Sequence, residues 1–121
     1  MRLQALNLYR EDLFPEDIYE DYTTVERERL RENYLETLLK VSEFFLEKGE
    51  YDIAIRYANR VLAKDRLCED GYRLLILLEY KKGNRTEAIR IYKKYRDYLK
   101  DELGVGPDEE ITGIYERITH R

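Results

Sequence analysis

Two stretches decide the fold: EKGEYDIAIRYA at residues 47–58 and KKGNRTEAIRIY at 81–92. Gly49 and Gly83 are 34 residues apart, as are Lys48 and Lys82, Ala54 and Ala88, Ile55 and Ile89, and Arg56 and Arg90. A 34-residue period is that of the tetratricopeptide repeat, in which two antiparallel helices form one unit. The chemistry suits that unit. Glycine permits the left-handed turn between paired helices, and a small Ala early in the second helix lets it approach the first closely.

Outward from the repeat, the pattern is helical throughout. Thr23-Thr24-Val25-Glu26 reads as a capping box, with Thr23 as N-cap and Glu26 reaching back. Beyond it Leu30, Tyr34, Leu38, Val41 and Phe45 recur at helical steps and define one face of a long helix ending at Lys48-Gly49. A second helix is expected from about Glu50 to Lys64, with Ala54, Ala58, Val61 and Leu62 inward. A third runs from about Cys68 to Lys82. Its core, YRLLILLEY, is apolar nearly all round and demands burial on more than one side. The fourth covers Arg85 to Leu103 on the stripe Ala88, Tyr92, Tyr95, Leu99 and Leu103. Gly104 and Pro107 then break the chain before a last helix capped by Asp108, with Ile111, Ile114, Tyr115 and Ile118 inward and Glu110, Glu116 and Arg117 outward. A helical stack leaves the apolar face of its last pair bare unless a further element covers it. The fold expected is therefore all-α: a tetratricopeptide-like right-handed stack of antiparallel helix pairs with a C-terminal capping helix.

The totals narrow the function. The chain has 121 residues, 22 basic against 26 acidic, and a net charge of −4. An isolated module that grips a nucleic-acid backbone usually carries a basic excess, so direct DNA binding is not expected. The charge is uneven: residues 1–22 hold two arginines against six acids, and residues 83–103 six basic against four acidic residues. One cysteine, Cys68, excludes an internal disulfide and suits the reducing cytoplasm. No apolar run approaches the length that crosses a bilayer.

Nothing points to catalysis, a cofactor or a metal. Cys68 reads as a small residue near the start of the third helix, and the one histidine, His120, stands next to the last residue. Protein metal sites need several His or Cys ligands. KKGNR lacks the glycine-rich phosphate-binding pattern. The acidic pairs Glu69-Asp70 and Asp108-Glu109 fall at helix starts, where they complement the helix dipole. Twelve tyrosines could suggest base stacking, but Tyr34, Tyr72, Tyr92, Tyr95 and Tyr115 fall on inward stripes and belong to the core. By repeat register, the concave face is expected to carry Glu43, Leu46 and Glu47 from the first pair and Arg73, Leu77 and Tyr80 from the second, as candidate partner-binding residues. The two-carboxylate clamp of chaperone-binding repeats would want Lys and Asn where Leu39 and Glu43 stand.

Taken with the repeat, ELGVGPDEEITGIYERI at 102–118 resembles the close of the bacterial transcriptional activator domain. That is the helical module of the Streptomyces antibiotic regulatory protein family and related response regulators. LYREDLFPEDIYEDY at 8–22, RERLRENYLETLLKV at 27–41 and GEYDIAIRYANRVLAKDRLCEDGYRLL at 49–75 are similar to its leading segment, first helix and central hairpin. Glu11, Tyr22, Arg66, Cys68, Gly106 and Gly113 depart from the usual residues of that family without removing a core position.

The resemblance implies that 1–22 follow a DNA-binding domain lying outside these 121 residues and that 23–121 form the activator domain; the apolar residues of LFPEDIYEDY lead us to expect Leu13, Phe14, Ile18 and Tyr22 to dock on the long first helix. It implies a non-catalytic interaction module of a DNA-binding regulator. Its partners would be its own DNA-binding domain, a second protomer (a homodimer), RNA polymerase or a sensor domain, with DNA contacted only through the upstream domain and no membrane contact. The alternative is a stand-alone adaptor binding a peptide in its concave groove. A third idea is a sensor of a small ligand in a helical groove, which a pocket with convergent polar groups would favour.

Overall fold

The computed structural model describes residues 22–120. Five α-helices follow one another among the described residues: α1 (Thr24–Glu47), α2 (Tyr51–Lys64), α3 (Glu69–Lys82), α4 (Arg85–Leu103) and α5 (Glu109–Thr119). Contacts divide the chain into two compact units, 1–34 and 35–121, with α1 beginning in the first and ending in the second. Of the residues expected to dock on the first helix, Leu13, Phe14 and Ile18 lie outside the described residues, and Tyr22 is exposed.

In the first unit, the expected capping box starts α1. The Glu26 backbone N–H donates to Thr23 Oγ1 at 3.1 Å, and the Thr23 N–H donates to Glu26 Oε1 at 2.9 Å. Two of the donors that every helix start leaves unsatisfied are thereby paired.

The second unit is an all-helical, sequential stack of the tetratricopeptide kind. Its two hairpin turns are built alike. Gly49 and Gly83 have φ of 78° and 100°. The Gly49 N–H donates to Leu46 O and the Glu50 N–H to Phe45 O. One repeat later the Gly83 N–H donates to Tyr80 O and the Asn84 N–H to Glu79 O. This is the Schellman closure, and it needs a residue without a Cβ penalty at its centre.

Beyond each turn the small residues do what their spacing predicts. Ala54 and Ala88 are both fully buried. Ser42, also fully buried, donates from Oγ to Ala54 O at 2.9 Å and so joins α1 to α2. Gly71 plays the corresponding part on α3, where a Cβ would lie 2.9 Å from Leu62 Cδ2. Neither Ser42 nor Gly71 stands out in the helical pattern, because neither carries an apolar side chain.

α3 packs against α2, α4 and α5, and Tyr72, Leu74, Leu75, Ile76 and Leu78 are all buried. Aromatic rings tie the layers. Phe45 lies parallel to Tyr57 at 6.2 Å, Tyr72 stacks on Tyr95 at 4.3 Å, and Tyr92 stacks on Tyr115 at 3.9 Å. The inward tyrosines are therefore core residues, although Tyr115 is only partly buried.

α5 covers the last pair. Ile111, Ile114 and Ile118 are buried, and the Asp108 carboxylate accepts from the Ile111 N–H at 2.9 Å. Arg85, at the start of α4, donates from Nε to Ile118 O at 2.7 Å and from Nη2 to Thr119 O at 3.5 Å, satisfying carbonyls that the end of α5 would leave open. One stripe position is corrected. Leu103 is 61% exposed, because the buried part of α4 ends one turn earlier at Leu99 and Gly104 turns the chain away.

Ala54→Leu and Ala88→Leu are each expected to lower unfolding free energy by about 1–3 kcal/mol through overpacking, measured by urea denaturation. Arg85→Gln is expected to lower it by about 1.5–3 kcal/mol, since the bonds it removes come from a charged donor. Hydrogen exchange should then accelerate first in α5.

Candidate functional site

The six residues expected on the concave face fall into two helix faces. Glu43, Leu46 and Glu47 share one face of α1; Glu43 and Glu47 are exposed and Leu46 is partly buried. Phe44, beside them, is exposed and carries the Lys48 ammonium 5.4 Å from its ring centre. Arg73, Leu77 and Tyr80 share one face of α3, with Tyr80 exposed and Leu77 and Arg73 partly buried. Arg73 is engaged inside the fold: its guanidinium bonds Asp70 at 3.0 Å on its own helix and approaches Glu110 of α5 at 3.7 Å. It ties α5 to α3.

The opposite face of α3 floors a second feature, a groove of about 450 Å³ between α2 and α4. Its floor is Tyr72, Leu75 and Glu79; α2 and the following turn contribute Asn59, Leu62, Ala63 and Arg66; α4 contributes Glu87, Arg90, Ile91, Lys94 and Tyr98. None of the six concave-face residues lines it. Glu79 is 9% exposed, and its Oε1 accepts from Asn84 Nδ2 at 3.1 Å. In repeat register Glu79 stands where the first pair has Phe45. A carboxylate in place of a packed ring was the sequence signal for this groove, hidden by the apolar run around it.

The electrostatics of the groove are orderly. Arg90 and Glu87 form a bidentate pair, at 2.9 Å from Nε and 2.6 Å from Nη2, which holds the Glu87 carboxyl below its ordinary pKa and raises that of Arg90. Arg66 pairs with Glu102 and also lies over the Tyr98 ring. Burial, with Tyr98 and Tyr95 beside it, pushes the Tyr72 phenol up to about 12, so its hydroxyl remains a hydrogen-bond donor at neutral pH.

Elsewhere the chemistry is sparse. Cys68 is the half-buried N-cap of α3, and burial pushes its thiol up, away from the reactive thiolate. His120 is exposed and its Nδ1 lies 3.2 Å from Glu116 O. Among the described residues no group of three or more His, Cys, Asp or Glu side chains could hold a metal ion. No helix among them is long and apolar enough to cross a membrane.

The all-helical stack, its glycine-closed hairpins and its C-terminal cap agree with one known family, whose model, for the bacterial transcriptional activator domain, matches residues 2–119. The chain belongs to the bacterial transcriptional activator domain family. This is a non-catalytic regulatory domain, part of bacterial transcriptional activators. The chain is 32% identical over 97 residues to the regulatory protein AfsR of Streptomyces coelicolor, an alignment covering 80% of this chain and 10% of that protein. AfsR of Streptomyces griseus is 31% identical over 97 residues, with the same shares. The chain thus spans about a tenth of the length of these curated relatives. No solved structure matches it.

Tyr72 generates a pH dependence for the domain. Its proton is held more tightly in the folded state, at about 12, than at the ordinary value of 10.0. The unfolded chain therefore ionises first as pH rises. The stability contributed is present below pH 10 and is lost as pH climbs through about 12. Denaturant titrations across this range should show a steep fall, and Tyr72→Phe should flatten it.

Proposed function

We propose that the chain is the protein-interaction module of a bacterial DNA-binding transcriptional regulator, mediating dimerisation and/or contact with RNA polymerase or a sensor domain. The observation that carries this reading is the family match across residues 2–119. In this reading residues 1–22 follow the regulator's own DNA-binding domain, and 23–121 form the helical-repeat activator domain. DNA is engaged only through that upstream domain, and the protein works in the cytoplasm without membrane contact.

The mechanism is additive binding. A module that joins a second protomer or polymerase to a DNA-bound protein makes the next contact intramolecular, and so raises occupancy without turnover. Glu43, Leu46, Glu47, Arg73, Leu77 and Tyr80 are the candidate contact residues, with apolar centres at Leu46, Leu77 and Tyr80 and acidic flanks on α1. Tyr80, a large aromatic that is 42% exposed, is the residue whose loss should be felt most. Arg73 also helps to hold α5 against α3.

Light scattering over a concentration series tests the reading, together with retention of purified RNA polymerase by the immobilised chain. A dimer at about micromolar concentration, or retained polymerase, is expected. Leu46→Glu with Tyr80→Glu should abolish that association while the helical circular-dichroism signal is kept. A monomer that retains no polymerase and instead binds an extended peptide on the α1–α3 face would favour the stand-alone adaptor.

A further inference from the structure

The groove between α2 and α4 is electrically polarised along its length. Tyr72 stacks on Tyr95, so the early part of α3 lies level with Tyr95 and its neighbour Lys94 on α4. Arg66 and Lys94 flank the Tyr98 ring there, at 5.5 and 5.7 Å from its centre, and make a cationic end. Seven residues further along α3 is Glu79, beside Asn84 at the start of α4. Helical rise over seven residues is about 10 Å. Glu79 and Glu87 make the acidic end.

Most of these charges are already matched. Arg66 pairs with Glu102, and Glu87 pairs with Arg90. Among the described residues Lys94 and Glu79 form no direct ion pair: Lys94 lies over the Tyr98 ring and acts on Glu87 only from a distance, and Glu79 accepts from the neutral Asn84 amide with Arg90 near enough to feel its charge. The two unpaired charges are opposite in sign and stand at opposite ends of one groove. Tyr72, buried and 3% exposed, lines the floor at the cationic end. Leu62, Leu75 and Ile91 supply apolar wall. A groove of about 450 Å³ with apolar walls and a few convergent polar groups has the dimensions of a small-molecule site.

We propose that this groove binds a small zwitterionic molecule, its anionic group against Lys94 and Arg66 and its cationic group against Glu79, about 10 Å away. The Tyr72 hydroxyl donates a hydrogen bond to the body of the ligand. A peptide of three residues with free termini has this form, since its extended backbone spans roughly 10 Å. The site is on the face of α3 opposite the concave-face residues and is independent of the interaction role proposed for them. A ligand bridging α2, α3 and α4 would stiffen the stack on which that role depends.

The test is a titration of the isotopically labelled 121-residue chain with a pool of tripeptides bearing free termini, followed by amide and tyrosine-ring chemical shifts. At about millimolar total peptide, shifts are expected at Lys94 and Tyr98 and also at Glu79 and Asn84. Acetylating the amino termini or amidating the carboxyl termini should each weaken the response roughly tenfold, the loss of one charge-assisted contact. Lys94→Glu, at an exposed position that leaves the fold intact by circular dichroism, should do the same. No shift at either end, or an equal response to doubly blocked peptides, would overturn the proposal. So would loss on amidation but not on acetylation, which would leave a site for anions alone.

Discussion

The constraint on which the second unit depends is the composition of α3. In YRLLILLEY an apolar side chain points in almost every direction, and no rotation of the helix offers water a wholly polar face. The helix is stable only if it is covered on several sides. α2 and α4 provide two covers, since the chain reverses over residues 65–68 between α2 and α3 and at Gly83 between α3 and α4. α5 provides the third, and it is fixed there from two directions: Arg85 bonds the carbonyls at its C-terminus, and Arg73 reaches Glu110 near its N-terminus. The breaks at Gly104 and Pro107 have their physical purpose in this third cover.

Covering α3 so completely gives the domain two surfaces of different character. The face with Leu77 and Tyr80 carries apolar and aromatic side chains at partly open positions, as expected where one protein meets another. The other face lies between two flanking helices, so its polar groups are confined to a groove and partly stripped of water. Charge there matters more than on an open surface, since screening by solvent weakens with burial. The same helix can thus serve a macromolecular contact on one side and small-molecule recognition on the other. Both proposed roles would depend on the stacking of α2, α3 and α4.

The fold was legible because its determinants are local and repeated. The aligned Gly and Ala positions, the Thr23–Glu26 box and the Asp108 cap each state a backbone requirement within a few residues, and the structure meets each of them. The misreadings arose at ends and at non-apolar core positions. Leu103 kept the helical period but lay beyond the reach of the covering helix. Ser42 and Gly71 are buried for closeness of approach, and helical periodicity of apolar residues cannot detect a side chain chosen because it is small. Arg85, read as the first residue of the fourth helix, also closes the end of a helix 33 residues away. Arg73, read as a concave-face residue, also approaches Glu110 of α5.

What the sequence by itself determined is the set of helices, their turns, the inward stripes and the family, because 3.6-residue periodicity and cap chemistry are written in neighbouring residues. Only the tertiary structure decided which charges remain unmatched and where. Glu79 and Lys94 are 15 positions apart in the chain and belong to different helices. Whether they face each other, face water or neutralise other groups depends on how α2 and α4 pack over α3. Electrostatic pairing depends on distance through space, and periodicity along the chain does not contain that distance.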